Sequence, residues 1–137
     1  MNTTERLEQT IRKHDLLRQG ATVVLGVSGG PDSVFLFHSF LGLARRMNLS
    51  LVTAHFNHRL RRAADGDERF VRELSESSGI PFHSVREDIG KDRRGSGKSL
   101  EEYARERRHL FFRTLAASCE ASRIALGHTK DDGSRPS

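Results

Sequence analysis

The stretch Thr22-Val23-Val24-Leu25-Gly26-Val27-Ser28-Gly29-Gly30-Pro31-Asp32-Ser33 decides the fold of this chain. Residues 22–27 are short, apolar and rich in β-branched side chains, the composition of a buried strand. Two glycines follow, and then an amphipathic run from Asp32 to about Met47, with Leu36, Phe40, Leu43 and Met47 at helical spacing. A strand that passes through a glycine turn into a helix collects free backbone N–H groups and the positive end of a helix dipole at one point. That point suits a phosphate. The glycines let the backbone approach the anion, and Pro31 fits a first helical turn, where its missing N–H costs nothing.

The turn lacks the Gly-Lys-Ser/Thr ending of a Walker A loop, and it lacks the G-x-G-x-x-G dinucleotide fingerprint. It reads S-G-G-x-D-S. This resembles the pyrophosphate-binding loop of the N-type ATP pyrophosphatases, the PP-loop enzymes that split ATP into AMP and pyrophosphate. The plain alternative is a strand–helix turn whose glycines serve only tight packing.

Around this unit, periodicity predicts a helix over 3–19 with Leu7, Ile11, Leu16 and Leu17 as its stripe, ended by Gly20. Further strands are predicted over Ser50–Phe56, Pro81–Val85 and Arg123–Leu126. A helix over 64–78 would use Phe70, Val71 and Leu74 as apolar contacts. Residues 88–98 read as a solvated basic loop. Ser99-Leu100-Glu101-Glu102 has capping-box spacing and opens a long helix to about Ala121. Strands alternating with helices predict an α/β fold: an open parallel sheet of four or five strands with helices on both faces. One domain over 1–132 is expected, with 133–137 as a disordered tail.

The 137-residue chain carries 23 Lys and Arg against 18 Asp and Glu, a net charge of +5, which fits a polyanionic partner without specifying it. A single cysteine, Cys119, excludes a disulfide framework and a cysteine-rich zinc site. No run is apolar enough to span a bilayer, so no membrane association and a cytoplasmic location are expected.

Ligands of open parallel sheets collect at the carboxyl ends of the strands. Three polar clusters fall there: Ser28 to Ser33, His55-Phe56-Asn57-His58-Arg59-Leu60-Arg61, and Gly127-His128-Thr129-Lys130-Asp131-Asp132. Taken in order, the S-G-G-x-D-S, H-x-N-H-x-L-R, S-L-E-E-x-A-R-x-x-R and G-H-x-x-D-D segments resemble the tRNA(Ile)-lysidine synthetase family over roughly residues 20–132. The adenine nucleotide α-hydrolase-like PP-loop fold follows from the resemblance. So does the chemistry: ATP adenylates the 2-carbonyl oxygen of the wobble cytidine of tRNA(Ile), pyrophosphate leaves, and a lysine amine displaces AMP.

The resemblance implies residue roles. Ser28, Gly29, Gly30, Pro31, Asp32 and Ser33 would hold the pyrophosphate end of ATP, with His55 as a wall of the nucleotide pocket. Asp32 would also sit near Mg2+; its plain role is a helix-start carboxylate favoured by the dipole by roughly 0.3–1 kcal/mol. Asp131 or Asp132 could add a second carboxylate to the Mg2+ ion or hold the lysine amine, with Asp131 chosen for the metal. Arg105 and Arg108 are the aligned pair on the long helix, and Arg105 is chosen for the phosphate or carboxylate contact. The alternative is a wet helix face with Glu101 pairing Arg105. Arg107 and Arg108 fall on or beside the stripe Leu100, Ala104, Phe111, Leu115, where an arginine must snorkel or find an anion. Together Asp32, Arg105, His128 and Asp132 form the expected catalytic set. Asn57, His58, Arg59 and Arg61 would touch the nucleic acid. His55 and His58 lack the further ligands a zinc site needs.

The family pattern stops at Asp132, where Gly133 stands for the expected glutamine, so a truncated catalytic domain is expected. An exposed sheet edge would then be open to cover by a homodimer. Other readings stay open: another PP-loop enzyme that thiolates tRNA or forms amides, or a nucleotide-binding module without turnover.

Overall fold

The computed structural model describes residues 3–60 and 62–126. The elements run α1 (Thr3–Lys13), β1 (Thr22–Gly26), α2 (Pro31–Met47), β2 (Ser50–Asn57), α3 (Ala64–Ser77), β3 (Phe82–Arg86), α4 (Ile89–Asp92), α5 (Leu100–Cys119) and β4 (Arg123–Leu126). Among the described residues one four-stranded sheet has the order β3-β2-β1-β4 with every pair parallel. The α/β fold with a parallel sheet is therefore as expected.

Parallel crossovers are right-handed. Strand order grows outward from β1 through β2 to β3 and then returns past β1 to β4, so the last helix must lie on the opposite face. The packing agrees. Val23, Leu25 and Val27 point to a core shared with Ile11, Phe37, Phe40, Leu43, Met47 and Val71, from α1, α2 and α3. Val24, Val52 and Ala54 point the other way, to Phe112 and Leu115 of α5. The reversal between β1 and β4 is a topological switch point, where open α/β sheets open a crevice.

On α2, Leu43 and Met47 are fully enclosed and Phe40 nearly so, as the helical spacing predicts. Gly42 on this helix faces Thr4, whose Oγ1 would lie 2.8 Å from an added Cβ, so the glycine sets how closely α1 can pack. Glu8 of α1 binds Arg12 of its own helix and Arg46 of α2, which lowers the Glu8 pKa. Ser99 caps α5, its Oγ accepting from the Glu102 N–H at 3.1 Å, as the capping box requires.

Four expectations are corrected. Helix α1 ends at Lys13, not at 19. Asp15 adopts φ +53°, and Leu16 N–H donates to the Ile11 carbonyl at 2.9 Å, a left-handed stop that comes before Gly20. Leu16 is consequently 40% exposed, while Leu17 is buried. Phe70 is also exposed; of the expected contacts α3 buries Val71 and packs Leu74 against the core, and it buries Ala64, Glu68 and Ser75 besides. The loop 88–98 contains a helical turn, α4, capped by Asp88 and anchored by the fully buried Ile89. Leu100 is exposed, so the buried part of α5 begins later and rests on Phe112 and Leu115. No helix among the described residues is long and apolar enough to cross a membrane.

Candidate active site

The turn after β1 is organised by one hydroxyl. Ser33 Oγ is buried and accepts from the backbone N–H of Ser28 and of Gly29, each at 3.1 Å. It lies 3.0 Å from the Gly30 carbonyl, to which it donates, and 3.2 Å from Ser28 Oγ. Ser28 Oγ in turn accepts from Gly30 N–H at 3.2 Å. The serines thus hold the turn in shape. Gly29 has φ +101°, and a Cβ there would stand 3.4 Å from Asp67 Cβ of α3. The space beside Gly30 is open, with only Ser28 Oγ within reach of an added Cβ. Gly30 is the N-cap of α2 and gives it no side-chain cap, and Pro31 opens its first turn. The N–H groups of Asp32 and Ser33 are therefore the helix's orphan donors. Asp32 is exposed in that same turn, where the dipole favours its charge.

A cavity of about 90 Å³ opens beside this turn, lined by Gly26, Val27, Ser28, Ser33, Phe56, Arg108, Phe112 and Leu126. Gly26, Phe56 and Leu126 stand at or next to the carboxyl ends of β1, β2 and β4. The cavity is the switch-point crevice, roofed by α5. Gly26 keeps it open, because a Cβ there would collide with Leu126 Cδ2 and come within 3.1 Å of the Phe112 ring.

Arg108 is the unusual member of this lining. Its Nε is buried and has no hydrogen-bond partner. Burial pushes its pKa down from the ordinary guanidinium value, and the neighbouring Arg105 charge pushes the same way. A buried donor left unpaired costs roughly 1–3 kcal/mol. An orphan cation facing a turn that presents helix N–H groups is a site for an anion. Arg107, one residue earlier, is spent: its guanidinium forks onto Glu87 at 2.8 and 3.0 Å, which raises its pKa. Arg105 is exposed and does not line the cavity, so the cation brought to the turn is Arg108. No Glu101–Arg105 ion pair forms among the described residues.

The end of β2 and the residues that follow it depart most from expectation. Phe56 faces the cavity, so strand alternation sends His55 and Asn57 to the other face. His55, expected as a wall of the pocket, is buried there, and its Nδ1 donates to the Val27 carbonyl at 2.7 Å. It braces the exit of β1 from behind. Asn57, expected at the nucleic acid, is 1% exposed. Its Nδ2 donates to Asp65 at 2.8 Å and to Glu68 at 2.9 Å, and its Oδ1 accepts from Arg59 N–H at 3.0 Å. Every polar atom of that amide is used inside the fold. His58 is half-buried, with Nδ1 accepting from Leu60 N–H at 3.0 Å. Arg59 is exposed at φ +55°. Arg61, His128, Asp131 and Asp132 lie outside the described residues.

The residue that sequence reasoning missed is Glu68. It is 2% exposed and accepts from Asn57, Ser84 Oγ at 3.0 Å, Arg86 Nε at 2.9 Å and Arg72 at 3.2 Å. Burial alone would raise its pKa. The hydrogen bonds from Asn57, Arg86 and Ser84 and the Arg86 charge outweigh this and hold it at about 2. Glu68 ties α3 to β2 and β3 under the loop that leaves β2. Its spacing with Ala64, Val71 and Ser75 on one helix face was the available signal.

Known proteins extend this picture. The profile of the PP-loop domain matches residues 1–134. The chain is 38% identical over 124 residues to a tRNA(Ile)-lysidine synthase of Clostridium tetani, covering 90% of this chain and 27% of that protein. It is 41% identical over 134 residues to the tRNA(Ile)-lysidine synthase of Chlorobaculum tepidum, covering 96% of this chain and 40% of that protein. The chain thus spans well under half the length of these relatives. Among solved structures, a U34-tRNA thiolase from Methanococcus maripaludis superposes with a TM-score of 0.76 at 16% identity, over 92% of this chain and 44% of its own, a likeness of fold. With the strand–glycine turn–helix unit at the head of its cavity, the chain belongs to the PP-loop domain family.

Proposed function

We propose that this chain is the ATP-handling part of a tRNA(Ile)-lysidine synthase, an ATP-dependent ligase that joins lysine to the wobble cytidine of tRNA(Ile). The observation that carries the reading is the unpartnered Arg108 Nε in the cavity that Ser28 and Ser33 line. ATP satisfies both sides at once. Its pyrophosphate end lies against Ser28, Gly29, Gly30 and the orphan N–H groups of Asp32 and Ser33. Arg108 then stabilises the charge that develops as the α-phosphate is attacked and pyrophosphate leaves. Gly26 and Phe112 leave an apolar wall for the base of the nucleotide.

The other catalytic needs fall on residues that the family resemblance nominates. Asp32, exposed in the first turn of α2, fits a magnesium ion in charge and access, and Asp131 would complete the pair. The metal would neutralise phosphate charge. Arg105, exposed on α5 three residues before Arg108, would meet the lysine carboxylate or a tRNA phosphate. His128 would face the α-phosphate or the cytosine, and Asp132 would take the proton from the lysine amine.

The test is ATP–pyrophosphate exchange that depends on added tRNA(Ile), followed by AMP release on adding lysine. ATP binding without exchange, with the chain extended to the length of its relatives, would reduce the reading to a nucleotide-binding module. Sulfur transfer through this chain's own thiol is disfavoured by position. Cys119 sits in the last turn of α5, roughly 16 Å along the axis from Arg108 at the helical rise.

A further inference from the structure

We infer that a second surface beside the cavity, built from the α4 turn and the segment after β2, grips an RNA sugar–phosphate backbone. The inference rests on the tRNA reading above and deepens it, since it names where the polymer lies. Arg59, Arg62, Lys91 and Arg94 are exposed and form no ion pair among the described residues. Most neighbouring cations are occupied: Arg86 and Arg72 by Glu68, Arg107 by Glu87, Lys98 by Glu106, and Arg93 donates to the Lys98 carbonyl at 3.3 Å.

The two segments form one surface because they touch. Ile89 N–H lies 3.4 Å from the His58 carbonyl, and Leu60 Cδ2 is 3.8 Å from the Cβ position of Gly90. Ile89 is fully buried and pins α4, while Asp88 caps it by accepting from Lys91 N–H. Asp88 is thereby engaged, Asp65 beside Arg62 accepts from Asn57, and Asp92 is a further exposed carboxylate that the four cations outnumber. Leu60 stands 41% exposed among them, an apolar surface for an unstacked base. Both segments leave the carboxyl ends of β2 and β3, the end that holds the cavity. Strand spacing puts them roughly 5–10 Å to the side of β1. A polymer seated on this rim can present one nucleotide to the cavity. Unpaired cations on a pinned backbone at that offset suit repeated phosphates.

The experiment is fluorescence anisotropy of a labelled unmodified tRNA(Ile) transcript with the whole 137-residue chain, repeated across salt concentrations. The double variant Lys91→Ala/Arg94→Ala is compared with Arg113→Ala, an exposed arginine on α5 away from the rim. The rim predicts an affinity loss on the order of tenfold for the double variant and a salt slope shallower by about 1.4, or 0.7 per lost phosphate contact. Arg59→Ala/Arg62→Ala should lose a similar factor, Arg113→Ala little, and ATP affinity should be unchanged in the Lys91/Arg94 variant. Unchanged RNA affinity and slope in both double variants overturn the rim while leaving the ATP reading intact. Rim-dependent RNA binding by a chain that binds no ATP upholds the rim and overturns the catalytic reading. Tighter retention of an acidic peptide than of the RNA also overturns the rim.

Discussion

Replacing Arg108 by methionine should make the protein more stable and a worse ATP binder at the same time. Methionine keeps the unbranched stem that packs beside Phe112 and removes the guanidinium. In the free protein that guanidinium has a buried Nε without a partner, a pKa pulled down by burial, and Arg105 as a like-charged neighbour. Relief of the orphaned donor is worth roughly 1–3 kcal/mol, part of which is lost with the outer, hydrated nitrogens. A net gain of about 1 kcal/mol is expected, read as a higher urea midpoint at unchanged slope. In the ATP complex the same group makes a charge-assisted hydrogen bond worth roughly 1.5–3 kcal/mol. Its loss weakens ATP binding about 10- to 150-fold by titration calorimetry. Arg105→Met serves as the contrast, with little effect on stability because its side chain is already in water. A less stable Arg108→Met protein with wild-type ATP affinity would refute the reasoning, since Arg108 would then be a packing residue.

Three other perturbations follow from the same geometry. Glu68 has a folded pKa of about 2 against an ordinary 4.5, so its contribution is complete above pH 4.5 and disappears as the pH falls towards 2. The difference corresponds to about 3 kcal/mol. Urea midpoints should fall through that window in the wild type and change far less in Glu68→Gln, which should already be weakened at pH 7. Ser33→Ala strips the acceptor from Ser28 and Gly29 N–H, so amide exchange at both should accelerate and stability should drop by roughly 1–3 kcal/mol. Gly26→Ala drives a methyl into Leu126 and Phe112, and a loss of roughly 1–3 kcal/mol together with poorer ATP binding is expected.

Much of the fold was legible because its signals are local. The β-branched run, the paired glycines, Pro31 and the Ser99 cap each specify backbone within a few residues. The misplaced end of α1 has a different origin. Asp15 takes the left-handed conformation that glycine usually supplies, and nothing in composition marks it. Residues such as Asn48 and Glu120 end α2 and α5 in the same way. Of the site, the serine–glycine turn was readable, whereas the cation was not: the apolar stripe flagged Arg107 and Arg108 alike, and Arg105 was preferred, because helical spacing does not tell that Glu87 takes Arg107 and that Arg108 lines the cavity. The sidedness of β2 was misread. Apolar Val52, Ala54 and Phe56 alternate with polar Thr53, His55 and Asn57, but residues 51–57 are buried on both faces, and the polar set is the one bonded to the α3 side, Thr53 to Ser75 and Asn57 to Glu68. Glu68 was hidden because its four donors come from α3, β2 and β3, and only the folded chain assembles them.

The account stands most directly on where ATP sits. Crystals of the chain grown with ATP should show the phosphates between the Ser28–Ser33 turn and the Arg108 guanidinium, with Arg108 Nε or its terminal nitrogens hydrogen-bonded to phosphate oxygen. Phosphate density on the His55 and Asn57 face of the sheet, or ATP bound with Arg108 still unpartnered, would contradict it.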